Sequence, residues 1–504
     1  MKLNFNKYLK SKFTGFEDGY DVFIKSITIY VLFWLSVLFV YTFPVGLDKL
    51  FFAMILLIFW FSKIDYFWFA FFIIISLYPG SFFTENSGDA LRRLPIYTII
   101  PKASFSVFDI FMIVSLIKAI VKGRKLRFKD VLNVKYASIF IIYLVIVSFF
   151  HGFSVKTFIS LPLRGLFFYT FFYSFPALVF TKKDTYKFMY MFLPFVFNEV
   201  FSQMYLLSTG RNLVTVFYSS ATSTVVYDKL MGDNIRAIAN GYSIIILSFM
   251  FSLSLLENSE IGSKTYLFVV IIATIISIML SATRQTIIMI AFMFVLYFIF
   301  VNKAKPGILL QLLIATIVIF FIIDVLNVFN LSNILNASLN RLTGAVEIKG
   351  GTIEAEDTLD YRLTIRLPII LESIKRSLFL GFGFSDDFFQ IYDGHLGGVF
   401  VGIMQMGIIG YTSLLIYIGS IYKTAIYFAK RFGDNNSCSN VIKSLLIGIS
   451  GYVLVNTFID PVIIFNVWAK PHEFFILIVL ISQFIKFGKM EHIYKKRILF
   501  NRVT

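Results

Sequence analysis

Apolar residues fall into blocks of roughly fifteen to twenty-five that recur along the chain, separated by polar segments. A helix needs about 20 apolar residues to cross the hydrocarbon of a bilayer, so each block predicts a spanning helix. The blocks lie at about 24–43, 48–62, 66–80, 106–121, 133–150, 160–180, 188–206, 239–256, 265–281, 286–301, 308–328, 396–420, 443–460 and 471–486, about fourteen in all. The second and third are short, the twelfth contains glycine, and the fourteenth begins near Pro471.

The intervening segments are of two kinds, and they alternate. One set is short and basic. It carries Lys2, Lys7, Lys10 and Lys12, then Lys122, Arg124, Lys125, Arg127 and Lys129, then Lys182, Lys183 and Lys187. It continues with Lys303 and Lys305, then Lys423, Lys430 and Arg431, and ends with Lys486, Lys489, Lys495, Lys496 and Arg497. Short Lys/Arg-rich loops mark the cytoplasmic side, so both termini are expected inside. The other set faces out and includes three long stretches, about 81–105, 207–238 and 329–395. Structureless loops beyond about 15 residues are uncommon and usually functional.

The expected fold is therefore all-α: a polytopic transmembrane helix bundle of about fourteen spans with a large late extracytoplasmic loop containing short helices. Residues 1–328 form spans one to eleven, 329–395 the loop, and 396–504 spans twelve to fourteen with a basic cytoplasmic tail. In the loop, Ile365, Ile369, Ile370, Ile374 and Leu378 recur at helical spacing within Tyr361–Leu378. Arg362, Arg366, Glu372, Lys375 and Arg376 lie off that stripe, which predicts an amphipathic interfacial helix. Pro368 implies a kink or a later start.

Composition agrees. The 504 residues are 58% hydrophobic and 15% charged, against roughly 45–50% and 25% in soluble domains. The net charge of +17 sits in short inter-span segments, where it sets topology and meets anionic head groups. No folded basic domain exists to carry a nucleic acid. The lone Cys438 excludes an intramolecular disulfide and a cysteine metal cluster. A stretch of about twenty residues rich in charged and polar side chains precedes the first block and no small-residue cleavage site follows it, so the first span is expected to be retained. No internal repeat of the kind inverted-repeat transporters carry is evident.

The informative anomaly is a set of outward arginines that topology does not require. Arg284 sits in Ser281-Ala282-Thr283-Arg284-Gln285-Thr286, a tight turn between two apolar runs. An arginine so close to hydrocarbon is costly and usually functional, the alternative being one that snorkels to head groups. Arg362 and Arg366, four apart, share a face of a continuous helix and could clamp a diphosphate bidentately. Arg341, Arg236 and Arg164 are weaker candidates.

Of four histidines, His492 lies in the basic tail, His151 ends a span on the outer side, and His472 follows Lys470-Pro471. His395, in Asp393-Gly394-His395-Leu396-Gly397-Gly398, stands at the outer mouth of the twelfth span. There a neutral imidazole could take a proton from a hydroxyl. Asp386-Asp387 is a weak metal signal. Gly381-Phe382-Gly383-Phe384 lacks the strand–turn–helix context of a nucleotide fingerprint.

Taken in order, these pieces resemble the O-antigen polymerase and O-antigen ligase superfamily of membrane glycosyltransferases. The order is an outward Ser-x-x-Arg turn, a long outer loop with arginine opening an amphipathic helix, Leu380-Gly381-Phe382-Gly383, a histidine, and a span bearing Gln405-Met406-Gly407-Ile408-Ile409-Gly410. The sequence-specific part covers about 281–410. Two places depart from the family pattern: Arg366 stands where an aromatic is common, and Leu396 follows the histidine where a polar residue is common.

The resemblance implies a polysaccharide repeat-unit polymerase in the bacterial inner membrane. It would join glycans carried on undecaprenyl diphosphate, with the lipid diphosphate as leaving group. Arg284, Arg362 and Arg366, with Arg341 and Arg236, would hold that diphosphate, and His395 would activate the acceptor hydroxyl. No metal, nucleotide sugar or other cofactor is implied. The implied partners are the lipid-linked donor and acceptor, membrane lipids, a chain-length regulator and a flippase. The alternatives are a ligase that transfers the finished glycan to lipid A core and a lipid-linked oligosaccharide flippase.

Overall fold

A computed structural model describes residues 19–44, 46–78, 96–100, 103–123, 132, 134–152, 170–209, 213–216, 241–256, 263–281, 284–302, 367–391, 398–434, 436–458 and 472–503. They are mostly helical. In chain order the helices are α1 (Gly19–Thr42), α2 (Leu47–Phe61), α3 (Asp65–Leu77), α4 (Val107–Val121), α5 (Val134–Phe150), α6 (Phe171–Leu178), α7 (Lys182–Tyr190) and α8 (Phe195–Thr209). They continue with α9 (Tyr242–Leu256), α10 (Lys264–Ser281), α11 (Arg284–Tyr297), α12 (Leu367–Arg376), α13 (Asp386–Ile391), α14 (Gly398–Phe432), α15 (Ser437–Phe458) and α16 (His472–Val503). One hairpin departs from the all-helical expectation. Strand β1 (Ile96–Ile100) pairs with β2 (Ala103–Ser106), the β-branched residues of β1 suiting extended chain.

Among the described residues, four helices are long and apolar enough to cross a membrane: Asp21–Thr42, Lys264–Ser281, Gly398–Phe432 and Ser437–Leu454. Asp65–Leu77, Tyr136–Phe150, Tyr242–Leu256 and Thr286–Val301 are apolar but shorter. The exposed faces agree with a lipid environment. On α5, Ile139, Ile142, Ile146 and Phe149 form an exposed stripe at helical spacing, and on α2 Leu50, Met54, Leu57 and Phe61 do the same. Water-soluble monomers rarely leave contiguous apolar surface of that extent.

The chain forms two compact units. The first comprises Met1–Ile96, Ser106–Phe108 and Thr181–Ile348. At its centre is α3, all thirteen of whose residues are buried, as expected of a helix that is hydrophobic all round. It packs against α1, α7 and α9. Helix α7 is started by Thr181, whose Oγ1 accepts from the Asp184 N–H at 3.0 Å, a capping arrangement. The expected span 188–206 is interrupted after Tyr190 by a turn through Pro194, and α8 begins at Phe195. Proline lacks the N–H a continuous helix needs.

The second unit comprises Tyr97–Phe105, Asp109–Phe180 and Lys349–Thr504. Its frame is α14, α15 and α16, packed on one another, with α5 and α12 against α14. Helix α14 is two helical segments joined at Gly407; at 1.5 Å per residue the second, 408–432, is about 37 Å long, beyond a hydrocarbon core of about 30 Å.

Candidate functional site: a broken helix and its crossing segment

Helix α14 is interrupted at Gly407, where φ is +63° and ψ is 176°. A break of this kind strands the last carbonyls of the first half and the first N–H groups of the second. In an apolar medium each must find a protein partner. The partner here is the segment Leu378–Gly383, a turn followed by two left-handed glycines, which crosses the break. The Phe382 N–H donates to Met404 O at 3.0 Å and the Gly383 N–H to Gln405 O at 2.7 Å. In return the Ile408 N–H donates to Leu378 O at 2.9 Å and the Ile409 N–H to Phe379 O at 3.2 Å. Tyr143 of α5 completes the set, its hydroxyl shared between Leu380 O and Met406 O, both at 3.0 Å.

Two glycines make this crossing possible. Gly381 has φ +73°, and a Cβ there would stand under 3.0 Å from the backbone of Gln405 and Gly407. A Cβ on Gly407 would stand under 3.0 Å from the Phe379 carbonyl. The backbones therefore approach more closely than any side chain permits.

The crossing segment is pinned on its other flank by the end of α5. Ser148 Oγ accepts from the Phe384 N–H at 2.6 Å, and Gly152 O accepts from the Asp386 N–H at 3.1 Å. His151 Nε2 lies 3.2 Å from Ser377 Oγ, and its ring centroid lies 4.8 Å from that of Phe382. Apolar packing finishes the assembly. Ile370 and Ile374 of α12, Phe382, Phe388 of α13, and Val401 and Met404 of α14 form one buried cluster. Gln405 lies within this joint, 4% exposed, and its Nε2 has no hydrogen-bond partner among the described residues. A buried orphan amide of this kind calls for an explanation.

Helix α12 starts at Leu367, with Pro368 in its first turn, where proline's missing N–H does no harm. Of the expected stripe, Ile370 and Ile374 are buried in the cluster, while Ile369 and Leu378 remain exposed. Asp386 and Asp387 form the first turn of α13, where negative charge suits the helix dipole. Among the described residues no three His, Cys, Asp or Glu side chains come together as a metal site.

Of the residues singled out from sequence, Arg284 is the first of α11 and its side chain lies outside the described residues. Arg164, Arg236, Arg341, Arg362, Arg366 and His395 also lie outside them. What the structure does bring together are the two motif stretches, 380–383 and 405–410. It also joins α12 and α14 in one cluster, through Ile370, Ile374, Val401 and Met404. Sequence reasoning noted His151 without giving it a role, and did not single out Tyr143, Ser148 or Ser377. The signal that points to them is a pair of glycine-spaced stretches flanking a span, together with hydroxyl groups in an otherwise apolar block.

The first unit carries a separate polar network. Tyr30 donates to Asn198 Oδ1 at 3.2 Å, and Asn198 Nδ2 donates to Tyr78 at 3.2 Å. The buried Glu199 carboxylate accepts from the Gly241 N–H at 3.0 Å. Gln203 of α8 and Ser277 of α10 bond reciprocally, at 2.9 and 2.6 Å. Comparison of the sequence with protein-family models and with curated proteins finds no match in either.

Proposed function

We propose that the protein is a metal-independent membrane glycosyltransferase that polymerises undecaprenyl-diphosphate-linked oligosaccharide repeat units at the outer face of the bacterial inner membrane. Arg284, Arg362 and Arg366, supported by Arg341 and Arg236, hold the donor diphosphate. His395 takes the proton from an acceptor sugar hydroxyl as its oxygen bonds to the donor's anomeric carbon. The bond from that carbon to the diphosphate breaks, and undecaprenyl diphosphate leaves with its charge balanced by the guanidinium groups.

The observation that carries this reading is the crossing joint. The segments 378–383 and 404–409, distant in sequence, exchange four backbone hydrogen bonds. Chain discontinuities at membrane depth are tolerated only where they are buried in protein or line a cavity, and broken helices recur at substrate sites of membrane proteins. The joint also seats α12 and α14 on a single cluster; in sequence Arg366 immediately precedes α12 and His395 stands three residues before α14. That anchoring suits two loop ends that must act on one substrate.

The test is deletion of the gene in the bacterium that carries it, with surface polysaccharide resolved by length. Surface glycan reduced to single repeat units supports the polymerase. Accumulated long lipid-linked polymer replaces it with a ligase, and an unchanged ladder overturns both.

A further inference from the structure

The start of the crossing segment combines two properties that a water-facing loop does not need together. Its side chains are apolar and exposed: Leu378, Phe379 and Leu380 follow one another, and Phe379 is 65% exposed. Its carbonyls are nevertheless engaged from within the protein, four in succession. Leu378 O and Phe379 O accept from the Ile408 and Ile409 N–H groups. Leu380 O accepts from the Tyr143 hydroxyl, and Gly381 O from the Ser377 hydroxyl at 2.8 Å. At a wet surface water would serve such groups, whereas hydrocarbon offers them nothing. The apolar surface also continues on both sides. Ile408 and Ile409 are exposed, and so are Ile142 and Ile146 beside Tyr143, on the stripe of α5. Its border is charged. Lys375 and Arg376 close α12 and are exposed, with Arg376 paired to Glu372 at 3.0 Å. Depth agrees. Ile408 stands 15 to 23 residues before the cations Lys423, Lys430 and Arg431, about 22–35 Å along the helix. With those cations at one face of a hydrocarbon core of about 30 Å, the joint lies at the other.

We propose that residues 378–380 are a membrane anchor. The side chains of Leu378, Phe379 and Leu380 insert among acyl chains at the boundary between head groups and hydrocarbon, in the outer leaflet for the expected orientation. Helix α12 is thereby held at head-group level, its basic last turn beside the lipid phosphates, the arrangement of an interfacial anchor. The occupant of this surface is the bilayer itself, which accounts for an exposed apolar patch whose backbone needs no water. The anchor goes beyond the transfer reaction proposed above and does not depend on it.

The experiment uses the full chain with Cys438→Ser, which removes its one thiol. A single new cysteine carrying a nitroxide is placed by Phe379→Cys, and the protein is reconstituted in phosphatidylcholine vesicles. Collision of the nitroxide with oxygen, which dissolves in hydrocarbon, is compared with collision with a charged chromium chelate present on both sides of the bilayer. Two positions set the scale: Ile142→Cys on the exposed stripe of α5, and Asp434→Cys, exposed in the turn between α14 and α15. Phe379→Cys should follow Ile142→Cys. Its collision with the chelate should be at least about tenfold below that of Asp434→Cys, because an ion is excluded from hydrocarbon. Leu378→Cys and Leu380→Cys are read in the same way, so that a variant that fails to accumulate leaves two others. A label in this segment that meets the chelate as readily as Asp434→Cys stands in water, and overturns the proposal. A label that meets neither reagent is covered by protein, from this chain or a second copy, and overturns it equally.

Discussion

Replacing Gly407 by alanine tests whether the crossing joint holds the second unit together. The residue has φ +63°, and a left-handed conformation costs an alanine about 1–2 kcal/mol. The added methyl would also stand under 3.0 Å from Phe379 O, so the crossing segment must move away from α14. The bonds that face the displacement are Ile408 N–H to Leu378 O and Ile409 N–H to Phe379 O. Leaving two backbone donors unpaired on an apolar, lipid-facing helix costs about 1–3 kcal/mol each. The sum is on the order of 3–8 kcal/mol, comparable with the whole stability of a domain at about 5–15 kcal/mol. Gly419 supplies the internal control. It lies in the same helix, and a Cβ there would meet nothing within 4 Å, so Gly419→Ala should be neutral or stabilising by up to about 1 kcal/mol. Thermal unfolding of detergent-solubilised protein, followed by loss of the monodisperse peak in size exclusion, reads both. Gly407→Ala should fall by many degrees or fail to accumulate, and Gly419→Ala should match wild type. Equal midpoints for the two variants would refute the reasoning.

Tyr143→Phe leaves Leu380 O and Met406 O without their shared donor, and the same assay should show a loss of about 1–3 kcal/mol; an unchanged midpoint would mean the hydroxyl carries no weight. The Gln203–Ser277 pair links α8 to α10, and a double-mutant cycle of Gln203→Leu and Ser277→Ala should return a coupling of about 0.6–1.7 kcal/mol, with strict additivity counting against it. Arg284→Lys keeps the charge but loses the fork that grips a diphosphate, so polymer yield should drop at least about tenfold with protein level unchanged; full activity with lysine would reduce Arg284 to a topological charge.

Much of the helical plan was legible because apolar blocks have only one way to satisfy their backbone in a bilayer. The block at 24–43 became Gly19–Thr42, and that at 265–281 became Lys264–Ser281. Where polarity and helicity part company, the reading stopped short. The block at 396–420 continues as helix to Phe432, because Lys423, Lys430 and Arg431 end the apolar run without ending the helix. The interruption at Gly407 was hidden for the opposite reason. Its neighbours Met406 and Ile408 are apolar, and the signal that breaks the helix is a segment about 25 residues upstream whose pairing no local pattern announces. His151 was placed correctly at the end of a block, but its contact with Ser377 spans 226 positions.

The most direct measurement supplies membranes containing the wild-type protein with labelled undecaprenyl-diphosphate-linked repeat unit and resolves the products by length. A ladder of multimers is expected, reduced at least about a hundredfold by His395→Ala, the scale of a lost general base. No ladder from wild-type membranes, or a ladder of undiminished yield from His395→Ala, would contradict the proposed polymerase.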